Sequence, residues 1–415
     1  MTFPQIATLT VLGLVVVALA SSRVRADVAA LAGAGALAAL GVASVEDLQR
    51  SFASPALVAL ASLFVLAEAL DRTGVMGLMV RTASKLVSRL GAASAPIIIA
   101  FCGALSGFLN NTPLVILAAP IVQDAAHKLG WSPKKLLIPL SYASILGGAC
   151  TLIGTSTNLL VDDMARRSGL PHFTLFEITP VGVWVAAAGG LYLLFVAPRL
   201  LPAEDGVAEL PKASEKRPLR VLPGLFATAV FAFVLGAAAG GLPIAIVSFT
   251  GAVVLLLARI IKPEEAYAGL RPQVLLMIAG MLVVGSALDK TGLARTATDA
   301  VATFTQPIGP IAALAAVYVA TLILTELMSN AAVAVLMTPL AIGLAQNLGV
   351  DPRPFVVAVM MSASAAFATP FGYQTNAIVH HIGNYSYFDF VRVGLPLNLV
   401  TAVAGLIAIP RFFPF

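Results

Sequence analysis

Residues 94–126 read SAPIIIAFCGALSGFLNNTPLVILAAPIVQDAA, a mostly apolar run halved by Asn110-Asn111-Thr112-Pro113. As one helix it would extend roughly 50 Å at about 1.5 Å per residue, well beyond the ~30 Å hydrocarbon core of a bilayer. It therefore reads as a helical hairpin that enters the membrane and turns back, with the polar residues at its tip. Non-helical backbone at that depth is tolerated only where it is buried in protein or lines a cavity. A second run of the same kind, 308–346, is interrupted at Ser329-Asn330.

The composition around these runs agrees with a membrane setting. Of 415 residues, 59% are hydrophobic and 11% charged, where a globular protein carries about a quarter charged. The 25 Lys and Arg and 20 Asp and Glu are too few to cover a solvated surface, so much of the outside must face lipid. A soluble enzyme is excluded, and a polytopic membrane protein is expected. The net charge of +5 comes from basic residues spread singly or in pairs between apolar stretches, as the positive-inside rule places them. No nucleic-acid partner is expected.

Apolar runs long enough to span occur at 3–22, 26–43, 55–70, 135–158 and 174–197, and again at 221–240, 242–261, 272–288, 354–380 and 393–410. Ile6 to Ala20 ends in a signal-like Ala-Leu-Ala, but no positive charge precedes it, so it reads as a retained helix. Cys102 and Cys150 both lie among Gly and Ala, as small packing residues rather than a disulfide or zinc framework.

The two halves match each other. Leu70-Asp71-Arg72-Thr73-Gly74 recurs as Leu288-Asp289-Lys290-Thr291-Gly292, and Thr151, Gly154 and Asn158 recur as Thr369, Gly372 and Asn376, both at a shift of 218. Asn111, Pro120, Gly130 and Pro133 recur as Asn330, Pro339, Gly349 and Pro352 at a shift of 219. Three blocks in one order at nearly one spacing make an internal repeat. Residues 1–198 form the first copy, 199–220 a polar linker and 221–415 the second copy. Each copy holds five spans, so the second must be inverted relative to the first. The expected fold is all-α, with ten transmembrane helices and two re-entrant hairpins in two inverted repeats. That pattern points to a secondary transporter with its site at the repeat interface. Eighteen of the 25 Lys and Arg fall on the linker side. This bias places the linker in the cytoplasm and both termini outside, with the first hairpin entering from inside and the second from outside.

At each tip, helix N-termini attract anions and free carbonyls attract cations. Asn111, Thr112, Ser329 and Asn330 add side-chain donors and acceptors. Gly154-Thr155-Ser156-Thr157-Asn158 and Gly372-Tyr373-Gln374-Thr375-Asn376 read as second breaks whose freed carbonyls suit Na⁺. Each tip with its partner break would make a cation pocket beside half of an anion site, to which Thr157, Asn158, Thr375 and Asn376 belong. Neither pocket is expected to contain Lys or Arg, so the anion would rely on N–H dipoles, amides, hydroxyls and co-bound cations. Glu326, three residues before Ser329, is an intramembrane carboxylate: a proton carrier, a cation partner, or a brace for the tip. Asp124, His127, His380 and His381 read as interfacial or solvated, and Asp71 and Asp289 as caps of the short helices that follow them.

With these motifs the chain resembles the divalent anion:sodium symporter family of the ion-transporter superfamily. The resemblance rests on Leu105 to Pro113, Gly147 to Asn158, Thr325 to Ala332 and Ala368 to Asn376, and it covers nearly the whole chain. It implies a homodimer in a bacterial inner membrane, with scaffold and transport domains moving as an elevator that couples Na⁺ to a dicarboxylate, citrate or a sulfate-like anion. It requires no cofactor beyond Na⁺ as coupling ion. The family's Ser-Asn-Thr signature falls on Asn110-Asn111-Thr112 and on Ser329-Asn330-Ala331. The first Na⁺ site implied is Ser106, Asn110, Asn111 and Gly154, and the second is Thr325, Ser329, Asn330 and Gly372. Ala331 replaces the signature threonine and removes one hydroxyl from the anion site. The likeness is greatest to the branch associated with sulfate, although the linker is too short to hold that branch's RCK-type regulatory domains. The rival expectation is a proton-linked permease of the same superfamily, for arsenite efflux or Na⁺/H⁺ exchange, with Glu326 titrating. A receptor or scaffold would leave both hairpins unexplained, and an enzyme lacks a nucleophile, base and orienting group.

Overall fold

The computed structural model describes residues 2–21, 23–87, 91, 93–201, 219–296, 298 and 309–415. Most of the expected linker, including Lys212, Lys216 and Arg217, lies outside the described residues, as do Arg89 and residues 299–308. Helix is the only regular secondary structure among the described residues. Seven helical stretches there are long and apolar enough to cross a membrane: Phe3–Ser21, Val45–Arg72, Val221–Ala239, Pro272–Lys290, Pro310–Leu327, Asn330–Asn347 and Tyr387–Phe412. Five shorter apolar helices accompany them: Ala26–Ala39, Ser94–Ser106, Thr179–Phe195, Ile244–Leu257 and Arg353–Ala363.

Neither hairpin stretch is one continuous helix. The first is divided into Ser94–Ser106 and Asn111–Lys128, the second into Pro310–Leu327 and Asn330–Asn347. The runs 135–158 and 354–380 are also broken, into Lys134–Gly148 with Ser156–Arg167 and Arg353–Ala363 with Gln374–Gly383. Helix starts at Asn111, Lys134 and Ser156 are answered at Asn330, Arg353 and Gln374, so the boundaries keep the 218–219 spacing of the sequence blocks.

Lys134–Gly148 and Arg353–Ala363 are buried along almost their whole length, as helices apolar on every face should be. The outer helices are mostly exposed, and Leu222 at 79%, Leu257 at 78% and Phe233 at 70% exposure give the molecule an apolar exterior suited to lipid. Between helices in lipid, close approach of small residues replaces the hydrophobic drive. Ser94–Ser106 packs on Lys134–Gly148, where a Cβ at Gly147 would lie 1.8 Å from the Gly103 carbonyl oxygen. Only glycine permits that contact.

Asp71 and Asp289 do not begin the helices that follow them. They lie in the last turns of Pro55–Arg72 and Pro272–Lys290. The repeated turn is closed by threonine: Thr73 Oγ1 donates to the Ala69 carbonyl at 2.8 Å, and Thr291 Oγ1 to Ala287 at 2.7 Å. A hydroxyl bonding back to i−4 competes with the helix ladder and suits a helix end.

Candidate functional site

The first break begins where Ser94–Ser106 ends. Asn110 caps Asn111–Lys128, its Oδ1 accepting from Thr112 N at 3.1 Å, and Pro113 fits the first turn, where no N–H is needed. Asn111 is 3% exposed; its Oδ1 accepts from Ser106 Oγ at 2.5 Å and its Nδ2 donates to Tyr373 Oη at 2.9 Å. Behind it, Thr151 Oγ1 donates to the Gly107 carbonyl and accepts from Gly154 N at 3.1 Å. Thr155 caps Ser156–Arg167. A Cβ at Gly154 would lie 2.4 Å from Gly148 O and 2.9 Å from Gly107 O, so backbone carbonyls crowd this break beside the Asn111 amide.

The second break repeats this wiring with one added charge. Thr325 Oγ1 donates to Asn330 Oδ1 at 2.9 Å, as Ser106 does to Asn111, and to Ala363 O at 2.6 Å. Thr369 Oγ1 accepts from Gly372 N at 3.1 Å, as Thr151 does from Gly154. Glu326, 219 residues beyond Gly107, takes over as the threonine's acceptor. Its Oε2 accepts from Thr369 Oγ1 at 2.9 Å, and its Oε1 from Ala368 N and Asn398 Nδ2, both at 2.7 Å. A carboxylate thus stands where the first half presents a backbone carbonyl.

Both breaks face one cavity of about 350 Å³. Of the residues singled out in the sequence, Asn110, Asn111, Thr112, Gly154, Thr157, Glu326, Ser329, Asn330, Ala331 and Gly372 line it. Ser106, Asn158, Thr325, Thr375 and Asn376 are 0% exposed and stand behind the wall. Asn158 Nδ2 donates to Thr151 O at 2.9 Å, Asn376 Nδ2 to Ala366 O at 2.8 Å, and Ser141 Oγ reaches Thr375 Oγ1 at 2.8 Å and Asn376 Oδ1 at 2.7 Å. These five hold the breaks in shape. Asp124, His127 and His381 are exposed, and His380 lies between the rings of Phe371 and Phe390, at 6.3 and 5.8 Å.

The expectation that the site holds no Lys or Arg is corrected: Arg271 lines the cavity. Its Nη1 donates to Gln374 Oε1 at 3.3 Å, and Gln374 Oε1 also accepts from Thr112 Oγ1 at 3.2 Å. Its guanidinium lies 5.8 Å from the Phe64 ring centroid, within cation–π range. Arg271 looks like a loop cation in sequence because it precedes Pro272, the first residue of its helix. The available signal is a contrast between two helices that both start on a proline. The residue before Pro55 is Ser54, an N-cap whose side chain accepts from Ala56 N at 3.2 Å. Arg271 makes no side-chain cap and adopts φ 49°, ψ 64°, a left-handed conformation unusual for a non-glycine residue. Tyr373 and Gln374, read in sequence as part of the second break but given no binding role of their own, also line the cavity.

The CitMHS family profile, described as citrate transporter, matches residues 16–360. An uncharacterized transporter of Synechocystis sp. is 24% identical across 91% of this chain and 92% of its own length. The uncharacterized transporter YfbS of Escherichia coli is 23% identical across 98% of this chain and 99% of its own. Sodium/sulfate cotransporter 1 of Chlamydomonas reinhardtii is 36% identical over 39% of this chain and 18% of its own length. Two solved structures share the fold at 13% identity. The Alcanivorax borkumensis YdaH transporter has a TM-score of 0.53, covering 88% of this chain and 86% of that one. Neisseria gonorrhoeae MtrF, of a class of antimetabolite efflux pumps, has a TM-score of 0.61, covering 99% and 94%.

Proposed function

The chain belongs to the citrate transporter family, and from that premise we propose that this membrane transporter couples Na⁺ to the movement of a small divalent anion, sulfate-like or a di- or tricarboxylate. One observation carries the reading: both helix breaks, each with its own oxygen cradle, face a single cavity. The first cradle combines Asn111 Oδ1 with the carbonyls of Gly107, Gly148 and Gly154. The second has Asn330 Oδ1 and the Glu326 carboxylate. Hard oxygens at unwound helix segments suit Na⁺, and helix N-termini beside them suit an anion. Cations bound in both cradles would offset an anion's charge where the local dielectric is low. Sulfate and citrate are the first candidates, from the names of the Chlamydomonas relative and of the family.

We place the protein as a homodimer in a bacterial inner membrane, linker inside and termini outside, with the two breaks carried together by an elevator movement. The lysine and arginine bias supports the orientation, and the recurring helix boundaries support two inverted repeats. A second reading is favoured by Glu326, a carboxylate in the cavity wall: a proton-linked permease or antiporter, for arsenite efflux or Na⁺/H⁺ exchange. Proteoliposomes tested with labelled sulfate, citrate, succinate and arsenite, under separately imposed Na⁺ and pH gradients, distinguish the two. Anion uptake driven by Na⁺ alone is expected. Flux driven only by a pH gradient would replace the sodium reading with the proton-linked one.

A further inference from the structure

We infer that Arg271 is the charge partner of the transported anion and sets its preference for a doubly charged oxyanion. The inference rests on the proposed Na⁺-coupled anion transport and identifies the residue that recognises the cargo. Among the described residues of the cavity wall, Arg271 is the one Lys or Arg and Glu326 the one carboxylate. The wall thus holds a guanidinium for an anion and, across the second break, a carboxylate for a cation. Glu326 accepts three protein hydrogen bonds. Arg271 contributes one donor, at 3.3 Å, to a neutral amide oxygen that Thr112 also uses. Glu68, which acts electrostatically on Arg271, is itself held by Arg72 Nε at 2.7 Å.

The backbone points the same way. Ser54, the residue before Pro55 where the first half's helix starts, caps that helix and donates to Asp163 Oδ2 at 2.8 Å, a purely internal role. Arg271 gives up the cap and takes a left-handed conformation before Pro272, where a residue is ordinarily extended. A strained residue whose side chain lines the cavity suggests function before structure. The second tip also lacks the counterpart of the Thr112 hydroxyl, since Ala331 stands there, while its Ser329 hydroxyl, at the position of Asn110, donates only to Met277 Sδ at 3.4 Å. The helices starting at Asn330 and Gln374 have no side-chain N-cap, unlike their counterparts at Asn110 and Thr155. Donors are therefore missing or unclaimed on the side of the cavity that Arg271 serves. A guanidinium offers a planar fork that matches two oxygens of sulfate or of a carboxylate.

The test uses the full chain in proteoliposomes with labelled sulfate and citrate under a Na⁺ gradient. Arg271→Gln is expected to raise the anion KM about tenfold or more, as loss of a charged partner does, while half-saturation by Na⁺ stays at the wild-type value. Its preference for sulfate over singly charged methanesulfonate, read by competition, should collapse. Arg271→Lys keeps the charge without the fork and should raise KM only severalfold. If Arg271→Gln does not remain monodisperse on size exclusion, Arg271→Met, which keeps the stem without the charge, decides, and a wild-type KM with unchanged charge preference in it overturns the inference. Wild-type KM in Arg271→Gln overturns it too, leaving Na⁺-coupled transport standing. A wild-type protein that moves neither anion removes the Na⁺-coupled anion reading on which the inference rests.

Discussion

Asn111 Nδ2 donates to Tyr373 Oη at 2.9 Å, joining the first helix break to the second across the repeat. The same Asn111 side chain accepts from Ser106 Oγ at 2.5 Å, so its amide is held from both sides and its carbonyl oxygen is aimed by the pair. Tyr373→Phe keeps the ring and removes the hydroxyl, and with it the acceptor for Asn111 and the contact with Thr155. A net hydrogen bond contributes about 1 kcal/mol, which corresponds to roughly a fivefold loss in anion uptake at limiting substrate. Initial-rate uptake with size exclusion as the folding control checks this; uptake at the wild-type level would show that the tie does not orient Asn111.

Asn111→Ala and Asn330→Ala should each abolish coupled uptake while leaving a monodisperse protein. Each asparagine offers a carbonyl oxygen and an amide donor, and each lines the cavity while accepting from the residue five positions before it. Alanine removes both atoms and leaves the Ser106 or Thr325 hydroxyl without that acceptor. Wild-type uptake in both variants would exclude the tips from the mechanism.

The breaks were legible because polar residues at the centre of an apolar run conflict with the membrane, and because the conflict recurs at 218–219 residues. Which side of each helix faces the cavity was not legible. Thr157 lines it and Asn158 is buried behind it, since adjacent helical residues point about 100° apart and the rotation is set by packing. Arg271 was missed for a different reason. Its charge falls at a helix start, where sequence reads it as an interfacial cation, and only the third dimension brings that helix end to Gln374.

Gly147→Val should lower thermal stability without altering ion or anion selectivity. The side chain would have to displace the Gly103 carbonyl, 1.8 Å from an ideal Cβ, and overpacking of this kind costs about 1–3 kcal/mol. At the shift of 218 the second half has Ala365, which is buried. A fluorescence melting scan reads the effect, and a midpoint equal to that of the wild type would mean that the two helices can part freely.

Glu326 separates the two couplings. Its carboxylate accepts from Ala368 N, Asn398 Nδ2 and Thr369 Oγ1, and glutamine can keep the first two through its oxygen. The third contact can reverse, with the new amide donating to Thr369 Oγ1 and the hydroxyl turning toward the Glu326 backbone carbonyl, 3.4 Å away. The break should therefore hold its shape in Glu326→Gln, and what is lost is the charge and the ability to titrate. If Na⁺ drives transport, uptake persists at a substantial fraction of wild type, with a weaker Na⁺ dependence because Asn330 and the carbonyls still supply oxygens to the cation. If protons drive it, flux under a pH gradient disappears, since an amide carries no exchangeable charge. The sodium outcome is expected, and uptake measured under each gradient separately decides it. A variant that still binds Na⁺ normally but transports nothing, beside a wild type driven by a pH gradient alone, would overturn the sodium reading and make Glu326 the proton carrier.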